Sequence, residues 1–113
     1  MGIKNIFLSL ILKGARIVQR KEILQKLLLY KQKHKNKYDI TKIGIFGSAS
    51  RDCMNEKSDI DVVVELVKPD LFCLIGIKQD LEEYFGCPVD IIRLRDQMNS
   101  FLKDRIKKEV VYV

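Results

Sequence analysis

Two short motifs, Gly47-Ser48 and Asp59-Ile60-Asp61, decide the fold, because each adjoins an apolar run. Gly47-Ser48 closes one apolar run, and the two aspartates open the next. Strand side chains alternate between two faces, so Asp59 and Asp61 point to one side while Ile60 points to the core. The pattern predicts a strand that ends in a small loop and a second strand that begins with a pair of carboxylates.

The residue types in these motifs are suited to phosphate and metal chemistry. Two carboxylates side by side raise each other's proton affinity, and a hard divalent cation such as Mg²⁺ neutralises both. At Gly47 a backbone without a side chain can approach a phosphate, and Ser48 adds a hydroxyl donor. Together the motifs can hold a nucleoside triphosphate and its magnesium ions.

In this order the motifs resemble those of the nucleotidyltransferase superfamily that includes the polymerase beta-like enzymes. The pattern of that superfamily is Gly-Ser, a short spacer, Asp-x-Asp and a third acidic residue on a later strand, for which Asp90 is the candidate. The chain is most similar to the minimal nucleotidyltransferases, or MNT antitoxins, from about Lys21 to the C-terminus. The resemblance implies an α/β fold of polymerase beta-like type, with a small mixed sheet and flanking helices.

The resemblance also implies a metal site with two Mg²⁺ ions. It assigns Asp59 and Asp61 to both ions and Asp90 to the ion that activates the acceptor, close enough to help remove the acceptor's proton. Each aspartate also has a simpler interpretation, as a loop-strand cap or as a solvent-facing strand residue. The presence of all three parts in order favours the metal site and a catalytic role for the three carboxylates.

Nucleotide binding is implied at four residues around the first loop. Gly47 and Ser48 would hold the terminal phosphates of ATP. Arg51 would neutralise triphosphate charge with its fork of donors, unless it only pairs with a neighbouring acid. Ser58 would orient Asp59 or touch a phosphate, unless it is only a turn residue. Relatives often carry an aromatic residue after the serine, and Ala49 in its place would loosen packing around the base or sugar.

The implied reaction is transfer of a nucleotide, in particular AMP from ATP, onto a protein hydroxyl with loss of pyrophosphate. By resemblance the acceptor is a tyrosine of a HEPN-type ribonuclease toxin, so the chain would be the antitoxin of a hetero-oligomeric pair. The alternative is a non-catalytic antitoxin or nucleotide-binding module that neutralises its partner by docking. Transfer to a small molecule is a weaker hypothesis, because so short a chain has little room for an acceptor domain.

Composition sets further bounds. A chain of 113 residues predicts one domain, and the three cysteines, Cys53, Cys73 and Cys87, suit neither a disulfide framework nor a zinc site. This cysteine usage is typical of a reducing cytoplasm. The net charge of +6 is spread over several segments, with one dense run at 31–37 that suits a helix end. An ordinary basic surface is therefore favoured over nucleic-acid binding, and His34 is interpreted as a surface residue without a partner.

Residues 1–20 are an N-terminal extension outside the predicted domain, 21–113. Their apolar residues share one helical face and predict an amphipathic helix, too short to span a bilayer. Two interpretations of these residues remain open. They form a docking helix, or they result from a start codon placed too far upstream. The residues on that face are Ile3, Ile6, Phe7, Leu10 and Ile11.

The remaining pattern predicts the order of the elements. A first helix with an apolar side of Ile23, Leu24, Leu27 and Leu28 precedes a strand at 41–46. Further strands are expected at 60–66 and 89–93, with Glu65 on the surface. A helix capped by Asp70 ends at Gly86, and its predicted core face is Leu71, Leu74, Ile75, Leu81 and Phe85. Asp96 is expected to cap a last helix, and residues 110–113 form either a fourth strand or a partner-binding end.

Overall fold

A computed structural model describes residues 19–47, 49–50, 59–68 and 70–113. Within these ranges the chain forms helices and strands in an α/β arrangement that confirms the predicted fold class. The helices are α1 (Arg20–Tyr38), α2 (Leu71–Phe85) and α3 (Ser100–Glu109). The strands are β1 (Ile40–Phe46), β2 (Ile60–Leu66), β3 (Val89–Arg93) and β4 (Val111–Tyr112). The predicted N-terminal amphipathic helix lies outside the described residues.

The strands of the described chain form one mixed sheet in the order β3-β2-β1-β4. Strand β1 is antiparallel to both β2 and β4, and β2 is parallel to β3. The C-terminal residues therefore form a fourth strand, in which Tyr112 pairs with Gly44. A Cβ atom at Gly44 would lie 2.5 Å from the Val111 carbonyl oxygen, so glycine permits β4 to pack there.

Helices α1 and α2 cover one face of the sheet, which we call the closed face. Ile23 and Leu27 of α1 and Leu81 of α2 are fully buried against it. The prediction for α1 is correct for these two residues, whereas Leu28 is 42% exposed. Alternate residues of the central strands supply the other half of this core, namely Ile43, Ile45, Ile60, Val62 and Val64.

The ends of α2 agree with the predicted signals, but its buried side differs. Asp70 accepts a hydrogen bond from the Phe72 backbone N–H at 2.8 Å, and Gly86 ends the helix at φ 68°. Ile75 is 42% exposed, and Ile77 is buried in its place. The reason is the helical period: Ile77 lies four residues before Leu81 and eight before Phe85, so the three share one side of the helix. Next to it, α2 packs closely on α1 at Gly76, where an added Cβ would lie 2.8 Å from the Tyr38 hydroxyl oxygen.

The expectation that His34 is a surface residue without a partner is wrong. Its ring stacks on that of Tyr30 at a centroid distance of 4.2 Å, one helical turn away. Tyr30 is fully buried and donates a hydrogen bond to the Asp80 carboxylate at 2.8 Å. Burial and the adjacent Asp80 raise the pKa of the Tyr30 hydroxyl, so this tyrosine stays neutral and ties α1 to α2.

Helix α3 lies on the opposite face of the sheet, which we call the open face. Phe46, Val63 and Ile106 form a second, smaller core there. The expected cap, Asp96, is wrong: the Asn99 side chain accepts a hydrogen bond from the Leu102 N–H at 3.1 Å. The chain needs residues 94–99 to turn from β3 back over the sheet, which places Asp96 before the helix begins.

No helix among the described residues combines the length and apolar character needed to cross a membrane.

Candidate active site

The site begins where β1 ends. Phe46, the last residue of β1, pairs with Asp61 of β2, and Gly47 follows with φ 70°. A Cβ atom at Gly47 would lie 2.6 Å from the Asp61 Oδ2 atom. Both the backbone conformation and the adjacent carboxylate therefore require glycine at this position.

The turn after Gly47 is stabilised by hydrogen bonds from Ser50. The Ser50 hydroxyl donates a hydrogen bond to the Gly47 carbonyl oxygen at 2.8 Å, and the Ser50 N–H donates to the same oxygen at 3.1 Å. Ala49 is fully buried in the core of the closed face. Its side chain therefore contacts protein, and a large aromatic side chain in this position would need a different core. Ser48, Arg51 and Ser58, three of the predicted nucleotide-binding residues, lie outside the described residues.

Two carboxylates lie side by side on the open face. Asp61 of β2 and Asp90 of β3 are register partners on adjacent parallel strands, so their side chains project to the same side. Asp59 is exposed and lies two residues before Asp61, at the point where the chain enters β2. Asp90 thus lies beside the Asp-x-Asp motif, and Asp61 of this motif lies beside Gly47.

Electrostatics link the three carboxylates. Burial raises the pKa of Asp61, and the negative charges of Asp90 and Asp59 raise it further. Such repulsion is relieved by a cation, and carboxylate oxygens are ligands that Mg²⁺ prefers, so the donor set fits this ion. In the part of the chain that the structure describes, no three acidic, histidine or cysteine side chains are arranged to enclose a metal ion.

One charged residue beside the site was missed in the sequence. The Arg105 guanidinium of α3 lies 5.4 Å from the centre of the Phe46 ring, next to Gly47. Its Nε atom is 3.2 Å from the Glu109 carboxylate, one turn along the helix. The spacing of Arg105 and Glu109 predicts such a pair on any helix. It does not reveal that α3 would carry the arginine to the end of β1.

Comparison with known proteins identifies the family. Residues 21–113 match the family model of the nucleotidyltransferase domain. A relative from Methanocaldococcus jannaschii is 35% identical over 94 residues, which cover 82% of this chain and 93% of that protein. A relative from Thermococcus cleftensis that carries the name protein adenylyltransferase is 31% identical over 93 residues, which cover 81% of this chain and 93% of that protein. The chain belongs to the nucleotidyltransferase family, and its class of activity is therefore enzymatic nucleotidyl transfer.

Solved structures show the same fold. A crystal structure of a toxin-antitoxin with AMP-PNP matches with a TM-score of 0.65 and 22% identity, over 78% of this chain and 69% of that chain. A complex of a tri-AMPylated HEPN toxin from Shewanella oneidensis with an MNT antitoxin matches with a TM-score of 0.61 and 20% identity. That match covers 82% of this chain and 70% of the other. The architecture is that of the minimal nucleotidyltransferases, as the sequence predicted.

Proposed function

We propose that this enzyme transfers AMP from ATP onto a protein hydroxyl, with a tyrosine of a HEPN-type toxin as the acceptor, and that it acts as the antitoxin. The observation that carries the proposal is the pairing of Asp61 with Asp90 beside Gly47. The name of the relative from Thermococcus cleftensis supports protein adenylylation, and the two similar complexes support a toxin partner.

The carboxylates have distinct roles in the proposal. Asp59 and Asp61 would hold two Mg²⁺ ions and Asp90 one of them; when bound, the ions neutralise triphosphate charge and stabilise the entering and leaving oxygens. Asp90 is exposed, so an acceptor hydroxyl that arrives from solvent can give up its proton to this carboxylate. Asp61 is half-buried and lies in the sheet between Phe46 and Asp90, its register partners.

The nucleotide has its own set of residues. Gly47 leaves the backbone open to the terminal phosphates, and Ser48 donates to them. Arg51 and Ser58 supply a further charge and a further hydroxyl, while Arg105 adds positive charge from α3. Most of the catalytic effect of such a site comes from positioning and charge neutralisation rather than from covalent chemistry.

The partner and the compartment complete the proposal. The similar toxin-antitoxin complexes support a separate protein as the source of the hydroxyl, so that the two chains would form a hetero-oligomer. The three cysteines of the chain, which have no paired spacing, support a reducing cytoplasm as the compartment.

Label transfer tests the proposal. The protein, Mg²⁺ and a HEPN-type toxin encoded beside it would be incubated with ATP labelled at the α-phosphate and, in parallel, at the γ-phosphate. We expect α label on the toxin, and we expect Asp59→Asn to reduce transfer at least about 100-fold, as loss of a key transition-state contact does. Asp104→Asn, on the exposed surface of α3, is the matched control and should transfer normally. Label from the γ-phosphate alone would indicate a kinase and overturn the mechanism.

Docking without catalysis is the second candidate function. Val67, Leu71 and Phe72 are 63%, 68% and 82% exposed around the start of α2, and exposed apolar residues of this kind favour protein contact. In that case the Asp59→Asn variant would neutralise the toxin as effectively as the wild type, and no α label would appear on the toxin.

A further inference from the structure

A cavity of about 390 Å³ lies between α3 and the open face of the sheet, away from Asp59, Asp61 and Asp90. We call it the α3 groove. Its charged and aromatic lining comes from both central strands, the turn after β3, α3 and β4: Lys42, Glu65, Arg95, Asp96, Lys103, Lys107 and Tyr112. Apolar side chains complete it, including Ile106 of the smaller core. The groove thus combines an apolar floor with a charged rim.

The rim carries more positive charge than its own acids neutralise. Among the described residues, the four cations of the rim form one ion pair, Lys103 with Asp96 at 3.9 Å. The Asp96 side chain is fully exposed, so this pair contributes little. Lys42 lies 5.8 Å from the centre of the Tyr112 ring and has no carboxylate partner in the described chain. A concave surface with such a charge balance attracts an acidic ligand.

Glu65 makes this lining different from a phosphate cradle. It lies at the surface, as predicted, where it is half-buried in the groove wall and accepts a hydrogen bond from the Thr41 hydroxyl at 2.7 Å. Burial and the Glu65 charge raise the pKa of the Tyr112 hydroxyl. A carboxylate in the wall repels phosphate. It can, however, accept hydrogen bonds from the backbone N–H groups of a peptide whose own carboxylates face the lysines.

The groove shares a face with the catalytic carboxylates. Asp61 and Glu65 lie on the same side of β2, four residues apart, which corresponds to about 13 Å along the strand. An extended peptide of about four residues spans the same distance. A segment held in the groove can therefore place a hydroxyl at Asp61 and Asp90.

We propose that the α3 groove docks an acidic segment of the acceptor protein and thereby positions the acceptor hydroxyl about four residues away, at the carboxylates. The inference rests on the proposed function, because it assigns a substrate class to the same site. Carboxylates of the segment meet Lys103 and Lys107, and an apolar or aromatic side chain packs on the floor of the groove. The enzyme would thus select tyrosines that lie in acidic sequence.

Charge reversal tests the groove with a defined acceptor. The probe is a random copolymer of glutamate and tyrosine, labelled with fluorescein for binding and unlabelled for transfer from α-labelled ATP. The test variant is Lys103→Glu/Lys107→Glu, with Lys103→Gln/Lys107→Gln as a milder form. The matched control is Lys33→Glu/Lys35→Glu, which reverses two exposed charges on α1, on the other side of the sheet.

We expect the groove variant to raise the Kd and the KM for the copolymer about tenfold, with kcat within about twofold and with normal folding by circular dichroism. The glutamine variant should show a smaller rise and the α1 control almost none. Three outcomes would overturn the inference. The groove variant and the α1 control could change the Kd for the copolymer equally, the groove variant could leave this Kd unchanged, or the groove variant could lose binding to RNA but not to the copolymer. If the wild type transfers no α label to any acceptor, the proposed function fails. The Kd values for the copolymer still test whether the groove binds an acidic segment.

Discussion

The two faces of the sheet are built for different tasks. On the closed face two helices bury a continuous apolar core, which includes Leu27 and Leu81 and contains fifteen buried residues among those described. On the open face one short helix covers a core of three buried residues, among them Val63. The closed face supplies most of the stabilising burial. The open face keeps strand side chains accessible, and it is the face that carries the carboxylates.

Strand β2 belongs to both faces and shows how the division arises. Val62 and Val64 point into the closed core, whereas Asp61 and Glu65 point to the open face. The period of two along a strand therefore separates stability from chemistry within seven residues. Substitutions on the two faces should have opposite consequences, and the following predictions test that contrast in order of decreasing effect.

The largest effect on stability is expected from Leu81→Ala. Leu81 is fully buried between α2 and the sheet, so its truncation should lower the free energy of unfolding by about 2–5 kcal/mol. Leu102→Ala, at a half-buried position of the open-face core, is the comparison variant and should lose less. Urea unfolding measures both, and transfer per folded molecule should stay within about twofold. A larger loss at Leu102 would mean that the open face carries the stability.

In contrast to Leu81→Ala, Asp61→Asn should raise stability and reduce nucleotidyl transfer. Burial and the charges of Asp90 and Asp59 raise the Asp61 pKa in the folded state, so the folded state binds this proton more tightly than the unfolded state does. The charged form therefore lowers stability as pH rises through that pKa, and asparagine removes this penalty. Without Mg²⁺ at pH 7, we expect Tm to rise by on the order of 2 °C, while nucleotidyl transfer falls at least about 100-fold.

Two controls sharpen this prediction. The gain in Tm should vanish near pH 3, below the ordinary pKa of aspartate at about 3.9, because both states of the wild type are then protonated. Added Mg²⁺ should stabilise the wild type and leave Asp61→Asn unchanged. A variant that is less stable than the wild type at pH 7 would show that Asp61 supports the fold rather than opposing it.

The strands and the site motif could be predicted because they depend on local patterns. Short apolar runs located β1, β2 and β3, and the alternation of strand side chains put Asp61 on the side away from the valines that pack in the closed core. The fourth strand stayed open between two interpretations, because Tyr112 pairs with Gly44 across the whole intervening chain. Such non-local pairing leaves no periodic signal in so short a segment.

The positions of Arg105 and of the residues that line the α3 groove could not be predicted for a related reason. The sequence shows which side of α3 is apolar, but not how the helix lies across the sheet. That orientation brings Arg105 to Phe46 and places Lys103 and Lys107 opposite Lys42. The cap of α3 was misplaced because Asp96 and Asn99 are both good capping residues, and only the path of the turn after β3 selects between them.

The smallest predicted effect concerns Glu82, which connects α2 to the start of β3. Its carboxylate accepts a hydrogen bond from the Val89 N–H at 3.1 Å and one from the Lys78 ammonium at 3.2 Å. Val89 is buried in the closed core, and the next residue is Asp90 on the open face. Glu82 therefore fixes the start of β3 and, through it, the position of the Asp90 carboxylate.

Glu82→Gln should accordingly be mildly destabilising in a pH-dependent way. The hydrogen bonds from Val89 and Lys78 lower the Glu82 pKa in the folded state, so its contribution is present above the unfolded pKa and is lost as pH falls through the folded value. We expect Tm to fall by on the order of 2 °C at pH 7 and by less at pH 3, below the ordinary pKa of glutamate at about 4.3. Glu83→Gln, at the exposed neighbour, should change Tm at neither pH. An equal loss at both pH values would assign the effect of Glu82→Gln to packing, and the carboxylate would then have no part in holding Asp90.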